Sequence, residues 1–239
     1  MRPQLNSGTL GRQHAEKCAH RENAVGLWER LGLGQKRPQR DWVGLVEGDA
    51  TFERDTGEVV VWRFPDGDGV GIYFFSLKPD LPRERDLPAF LSKTRDHVTA
   101  AGVVLVECGI VPIGAIPAVR QIVKVRQRPS GMTYLGSITL PFKKFSYVLK
   151  VQCEERGVTG MREAVLLDEG LAAGTVQTFP DSPNPIRGDW DPDADRHDAR
   201  FPDHPISRVR RHLRSIISSC VVDEALIRHP LFQLPAIEP

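Results

Sequence analysis

Apolar residues recur at every second position through much of residues 57–153, and at every third or fourth position around 87–101, 160–171 and 205–220. The first spacing is that of strands with one buried face, the second that of helices with one apolar stripe. Residues 57–64 (GEVVVWRF) and 70–77 (VGIYFFSL) are rich in β-branched and aromatic side chains and flank Pro-Asp-Gly-Asp-Gly, which predicts a hairpin. Asp86 is placed to cap a helix running to Ala101, with Leu87, Phe90, Leu91, Val98 and Ala101 at helical spacing and Gly102 as its stop. Four further strands are predicted at 103–110, 118–127, 132–140 and 146–153. The gaps between them are too short for parallel crossovers, so the strands should pair antiparallel. A helix follows over about 160–171, then a Pro/Asp-rich connector at 174–204, then a helix at 205–220 with Ile206, Val209, Leu213, Ile216, Ile217 and Cys220 as its stripe. The predicted fold class is α+β: a mostly antiparallel sheet of about six strands with helices packed against it.

Residues 1–40 read as a basic, loosely structured N-terminal arm with a short helix at 22–31, residues 41–220 as a single α+β domain that includes the acidic connector, and 221–239 as a C-terminal tail. Hydrophobic residues make up 40% of the chain and charged residues 26%, close to the averages for globular proteins. No apolar run is long enough to span a membrane, and no apolar leader stands at the N-terminus, so a cytoplasmic location is expected. Cys18, Cys108, Cys153 and Cys220 are far apart and form no CxxC pair, which fits free thiols. The formal net charge is +1, so electrostatic arguments must rest on local patches.

Several chemistries find no foothold in the motifs. Gly67, Gly69 and Gly71 lead into a strand and lack the GK[ST] of a phosphate loop, and neither GxSxG nor HExxH is present. Asp189, Asp191, Asp193 and Asp195 alternate like the start of an EF-hand loop, but Ala194 stands where Gly is needed and Arg200 where a bidentate Glu is needed. No metal and no cofactor is therefore expected. His204 before Pro205 fits a helix entry, and Arg208, Arg210, Arg211 and Arg214 fit a solvated helix face. Val151 and Cys153 continue the inward face of the last strand, which makes Cys153 a small buried hydrophobe. Thr159 is the expected N-cap of the following helix, and Thr159, Gly160 and Arg162 form a candidate anion contact at its free amides.

Charge within the sheet is one-sided. Between Cys108 and Cys153 there is no Asp or Glu, against seven Lys and Arg residues. Alternation puts Arg120, Lys124 and Arg126 opposite Val119, Val123 and Val125, and turns Lys150 outward on the last strand. Three readings remain open for such a face: a solvated or helix-covered surface whose cations meet the acidic connector, a site for an acidic protein partner, or a nucleic-acid platform with Tyr134, Phe142 and Phe145 near by.

The order hairpin, helix, antiparallel meander, closing helix resembles the PsbP-like α/β sandwich group. Residues 119–164 (VRQIVKVRQRPSGMTYLGSITLPFKKFSYVLKVQCEERGVTGMREA) resemble sheet segments of its uncharacterised bacterial members. Members of that group are mostly non-enzymatic binding or assembly proteins. The resemblance implies a protein-interaction or chaperone-like domain without catalytic activity, binding a protein with an acidic surface through Arg120, Lys124, Arg126 and Lys150. Nucleic-acid binding is the alternative, and an enzyme with dispersed catalytic residues the third class.

Overall fold

The computed structural model describes residues 39–45, 48–183 and 185–236. The chain divides into two units, Met1–Gln39 and Arg40–Pro239, and all the elements that follow belong to the second. The predicted helix at 22–31 and nearly all of the expected arm lie outside the described residues.

Strands β1 (Val43–Gly44), β2 (Thr51–Asp55), β3 (Val59–Arg63) and β4 (Gly69–Phe75) come first, followed by helix α1 (Leu87–Ala100). Next are β5 (Val104–Ile113), β6 (Ile116–Arg126), β7 (Met132–Pro141) and β8 (Ser146–Glu154), then α2 (Met161–Ala172). The connector carries a small hairpin of β9 (Val176–Thr178) and β10 (Ile186–Gly188) before α3 (Pro205–Ser219), β11 (Val221–Val222) and α4 (Glu224–Ile227). The fold is α+β, with a seven-stranded sheet in the order β2-β3-β4-β8-β7-β6-β5 and every pairing antiparallel. The strand beyond the expected six is β2, whose sequence Thr-Phe-Glu-Arg-Asp is exposed throughout and so carries no buried-face pattern to read.

Register fixes which side chains share a face. Val60, Ile72, Leu149, Ile138 and Arg120 lie opposite one another across five strands, and α3 packs over this face. Ile206, Val209, Leu213 and Ile216 of α3 are buried, each contributing about 1.5–3 kcal/mol by leaving water. The close approach depends on Gly136 of β7: a Cβ there would lie 2.6 Å from Val209 Cγ1 and 2.9 Å from Leu213 Cδ1. On the opposite face α1 packs along β5, with Thr94 against Cys108. Its start follows the pattern: Asp86 accepts a hydrogen bond from the Ala89 amide at 3.0 Å.

Two expectations are corrected here. Arg208 and Arg210 are not on a solvated helix face but buried, because acids and carbonyls from other segments meet them under α3. The segment expected as a tail also packs: β11 pairs with β1, Leu226 is fully buried, and Leu231 bridges to Phe142.

Gly136→Ala should cost about 1–3 kcal/mol, since the added methyl has no space without a shift of α3. Urea denaturation measures this, and an unchanged midpoint would show that α3 does not seat against β7 as described.

Candidate functional site

Among the described residues, two clusters of ligand-type side chains lie where the sheet meets the helices: Asp68, Cys153 and His212, and Glu155, Glu163 and His204. In each, the ligand atoms are within 4.8 Å of one another. They overturn the expectation that the chain has no catalytic constellation and is therefore not an enzyme. Their members come together only through the fold, so no spacing motif announces them.

The first cluster is held by guanidinium groups. Asp68, at the entrance to β4, is fully buried. Arg208 grips it with Nε to Oδ2 at 2.9 Å and Nη2 to Oδ1 at 3.1 Å, while His212 Nε2 stands 3.3 Å from Oδ2 and Arg156 3.7 Å from Oδ1. Burial pushes the Asp68 carboxyl up, but hydrogen bonds from His212 and Arg208 outweigh it and hold the group well below the usual carboxylate range. Burial, with the charge of Asp68, pushes the Cys153 thiol far up, so it stays protonated as expected of a buried small residue. Arg208 already supplies the positive charge that a metal ion would bring. This cluster ties β4 to α3.

The second cluster has no such cation at its centre. Glu155 follows β8 directly, and its two oxygens accept from the amides of Gly160 and, at 3.0 Å, Met132. Gly131 makes room beside it with φ 93°, because a Cβ there would fall 2.9 Å from Thr159 Cγ2 and 3.3 Å from Glu155 Oε2. Glu163 stands in the first turn of α2, and His204 immediately precedes α3. His204 Nε2 is 3.7 Å from Glu163 Oε1, beyond hydrogen-bonding distance. Neither His204 ring nitrogen nor Glu163 Oε2 has a hydrogen-bond partner among the described residues, although the imidazole is only 7% exposed. Leaving such groups buried and unsatisfied costs about 1–3 kcal/mol each. Burial, then the charge of Arg162, drives the His204 pKa down to about 4, so the ring is neutral at physiological pH. Burial also raises Glu163, and the charges of Glu155 and Asp193 add to it. The Tyr134 ring stands edge-on to His204 with centroids 5.6 Å apart, and its hydroxyl donates to Asp193 Oδ1 at 2.8 Å. Lys124 pairs with the other Asp193 oxygen.

The expected anion contact is arranged differently. The N-cap of α2 is Gly160 at φ 75° with no side-chain cap, not Thr159, and the Glu155 carboxylate takes the Gly160 amide. The chain thus supplies the anion at this helix start. Arg162 is wholly buried and turns away into the connector, donating to Pro192 O at 2.6 Å, Ala194 O at 2.7 Å, Ser207 Oγ at 2.9 Å and Asp198 at 3.2 Å.

The basic residues do not form one platform. Arg120 lies opposite Ile138 and Lys124 opposite Tyr134, which puts them on the face beneath α3, whereas Lys150 lies opposite Ser137 on the other face. Alternation sorts the residues of one strand, but only register says which faces of two strands coincide. Arg120 pairs with Glu107 at 2.7 Å, and Lys150 stands 4.9 Å over the Tyr73 ring. Arg126 is exposed near the end of β6. The alternating aspartates are also dispersed: Asp193 meets Tyr134 and Lys124, and Asp189 meets Arg196.

No family model matches the chain, and no curated protein matches it. Among solved structures, it is similar to PA94, a protein of unknown function from Pseudomonas aeruginosa. That likeness has 10% identity and a TM-score of 0.32, and covers 56% of this chain and 99% of the other.

Two outcomes follow from the clusters. Asp68→Asn should cost about 3–5 kcal/mol in urea denaturation, because it leaves Arg208 buried without its counter-charge; a loss below about 1 kcal/mol would contradict the assigned role. His204 titrates from 6.5 in the unfolded chain to about 4 in the fold. Its contribution to stability is therefore present above pH 6.5 and lost as pH falls from 6.5 towards 4, since only the unfolded chain takes up the proton. Glu163 acts in the opposite sense, its raised carboxyl withdrawing stability as pH rises above 4.5. In metal-free protein His204→Gln should flatten the acid side of the pH–stability curve, and an unaltered curve would contradict a buried neutral imidazole.

Proposed function

We propose that this chain is a divalent-metal-binding domain whose ion is held by Glu155, Glu163 and His204. The observation that carries the proposal is the buried imidazole of His204, neither of whose nitrogens has a hydrogen-bond partner among the described residues, beside a Glu163 oxygen that also lacks one. A neutral imidazole is the form that ligates a metal, and a pKa of about 4 keeps His204 in that form without a proton to expel. Two carboxylates and one nitrogen suit a first-row transition-metal ion such as zinc, manganese or iron(II) better than calcium or magnesium, which prefer all-oxygen sets. Each oxygen of Glu155 accepts one backbone amide and keeps a second lone pair, so the hydrogen bonds orient this ligand without consuming it.

Three protein ligands leave coordination positions for water or a substrate group, the pattern of catalytic rather than closed structural sites. The Glu163 side chain is 31% exposed, so the site lies near the surface. The Asp68 cluster is not a second centre in this proposal, because Arg208 and Arg156 surround its carboxylate.

Isothermal titration of metal-free protein with zinc or manganese tests the proposal. One equivalent should bind to the wild type, with binding weakened at least about 100-fold in His204→Ala and Glu163→Gln. Binding should weaken on acidification as Glu163 takes up its proton. Equal affinity in the wild type and both variants would overturn the assignment.

A further inference from the structure

We infer that the ion acts as a latch on the connector between α2 and α3, and so controls the polar cleft that the connector walls. This rests on the metal reading above and adds a regulatory consequence to it.

The three ligands bracket α2 together with the connector that follows it. Glu155 follows β8 directly, Glu163 stands in the first turn of α2, and His204 is the last residue before α3. An ion shared among them closes residues 164–203 into a loop, and a link between the ends of a long segment restricts its open states. Without the ion, two carboxylates and an imidazole that lacks a hydrogen-bond partner among the described residues face one another within 4.8 Å. The ends of the segment are then the natural place for local opening.

The middle of the connector is fastened next to the same site. Arg162, adjacent to Glu163 in sequence, holds the carbonyls of Pro192 and Ala194. Between them, Asp193 receives Tyr134 and Lys124 from the sheet, and its carbonyl receives Arg210 from α3. A displacement of α2 at Glu163 therefore pulls on Arg162 and on both carbonyls that it grips. Asp191 and residues 193–196 form one wall of a cleft of about 640 Å³, facing Glu107 and Arg120 of the sheet and Arg210 and Arg214 of α3. Securing residues 192–194 fixes that wall. Ion occupancy and cleft geometry are thus coupled through Glu163, Arg162 and Asp193.

Hydrogen exchange by mass spectrometry on the full chain, metal-free and with saturating zinc, tests the latch, with calorimetry on the same samples. Zinc should slow exchange roughly tenfold or more in peptides covering the start of α2 and residues 185–204, and leave β6, β7 and β8 within about twofold. Asp193→Asn should still bind zinc but lose protection at 190–196, which separates the fastening of the connector from ligation. Zinc bound at one equivalent without protection of the connector would overturn the latch and leave the metal site standing. Absence of zinc binding would overturn both.

Discussion

Among the described residues three guanidinium groups are buried, and the arrangement of the helices depends on their being satisfied. Arg162, Arg208 and Arg210 are each less than 10% exposed, and each gathers partners from segments far away in sequence. Arg208 joins α3 to the hairpin acid Asp68 and to the end of β8, Arg210 joins α3 to β5 and the connector, and Arg162 joins α2 to the connector and to α3. A buried charge without its partners costs several kcal/mol, so the fold holds only where all three sets are assembled together. Apolar burial under α3 supplies the drive, and the arginines restrict which packing is acceptable.

That constraint explains what the sequence made legible. The hairpin, α1, the four-strand meander and α3 follow from period and turn chemistry, which are local. The stripe of Ile206, Val209, Leu213 and Ile216 is buried as its spacing requires. Arg208 and Arg210 look like solvated residues on the same helix because nothing local marks the acids that meet them. Asp68 and Glu107 lie 140 and 103 residues away. The split of the basic sheet residues has the same origin: Arg120 and Lys150 each alternate correctly on their own strands, and only the register through β7 sends them to opposite faces. Strand β2, exposed on both sides, left no pattern at all.

The candidate site was visible only in fragments. His204 stood out as a histidine before a helix-starting proline, and its backbone does serve as that entry. Its imidazole carries a second feature that backbone logic does not address, since both nitrogens are buried without partners. Glu155 and Glu163 flank the turn for which Thr159 was the expected N-cap. In the fold Glu155 caps the turn and Glu163 is freed to face His204. The two histidine clusters share a vocabulary of acid and imidazole, yet they differ in the one respect that decides their chemistry. Asp68 is already compensated by arginine, whereas Glu155, Glu163 and His204 have a ligand set with no cation at its centre.

X-ray absorption at the zinc edge of the loaded protein tests this distinction most directly. With the ion on Glu155, Glu163 and His204, the first shell contains light atoms only, one imidazole nitrogen and carboxylate or water oxygens at about 2.0–2.2 Å. A sulfur scatterer at about 2.3 Å would move the metal to Cys153 and the Asp68 cluster and contradict the account.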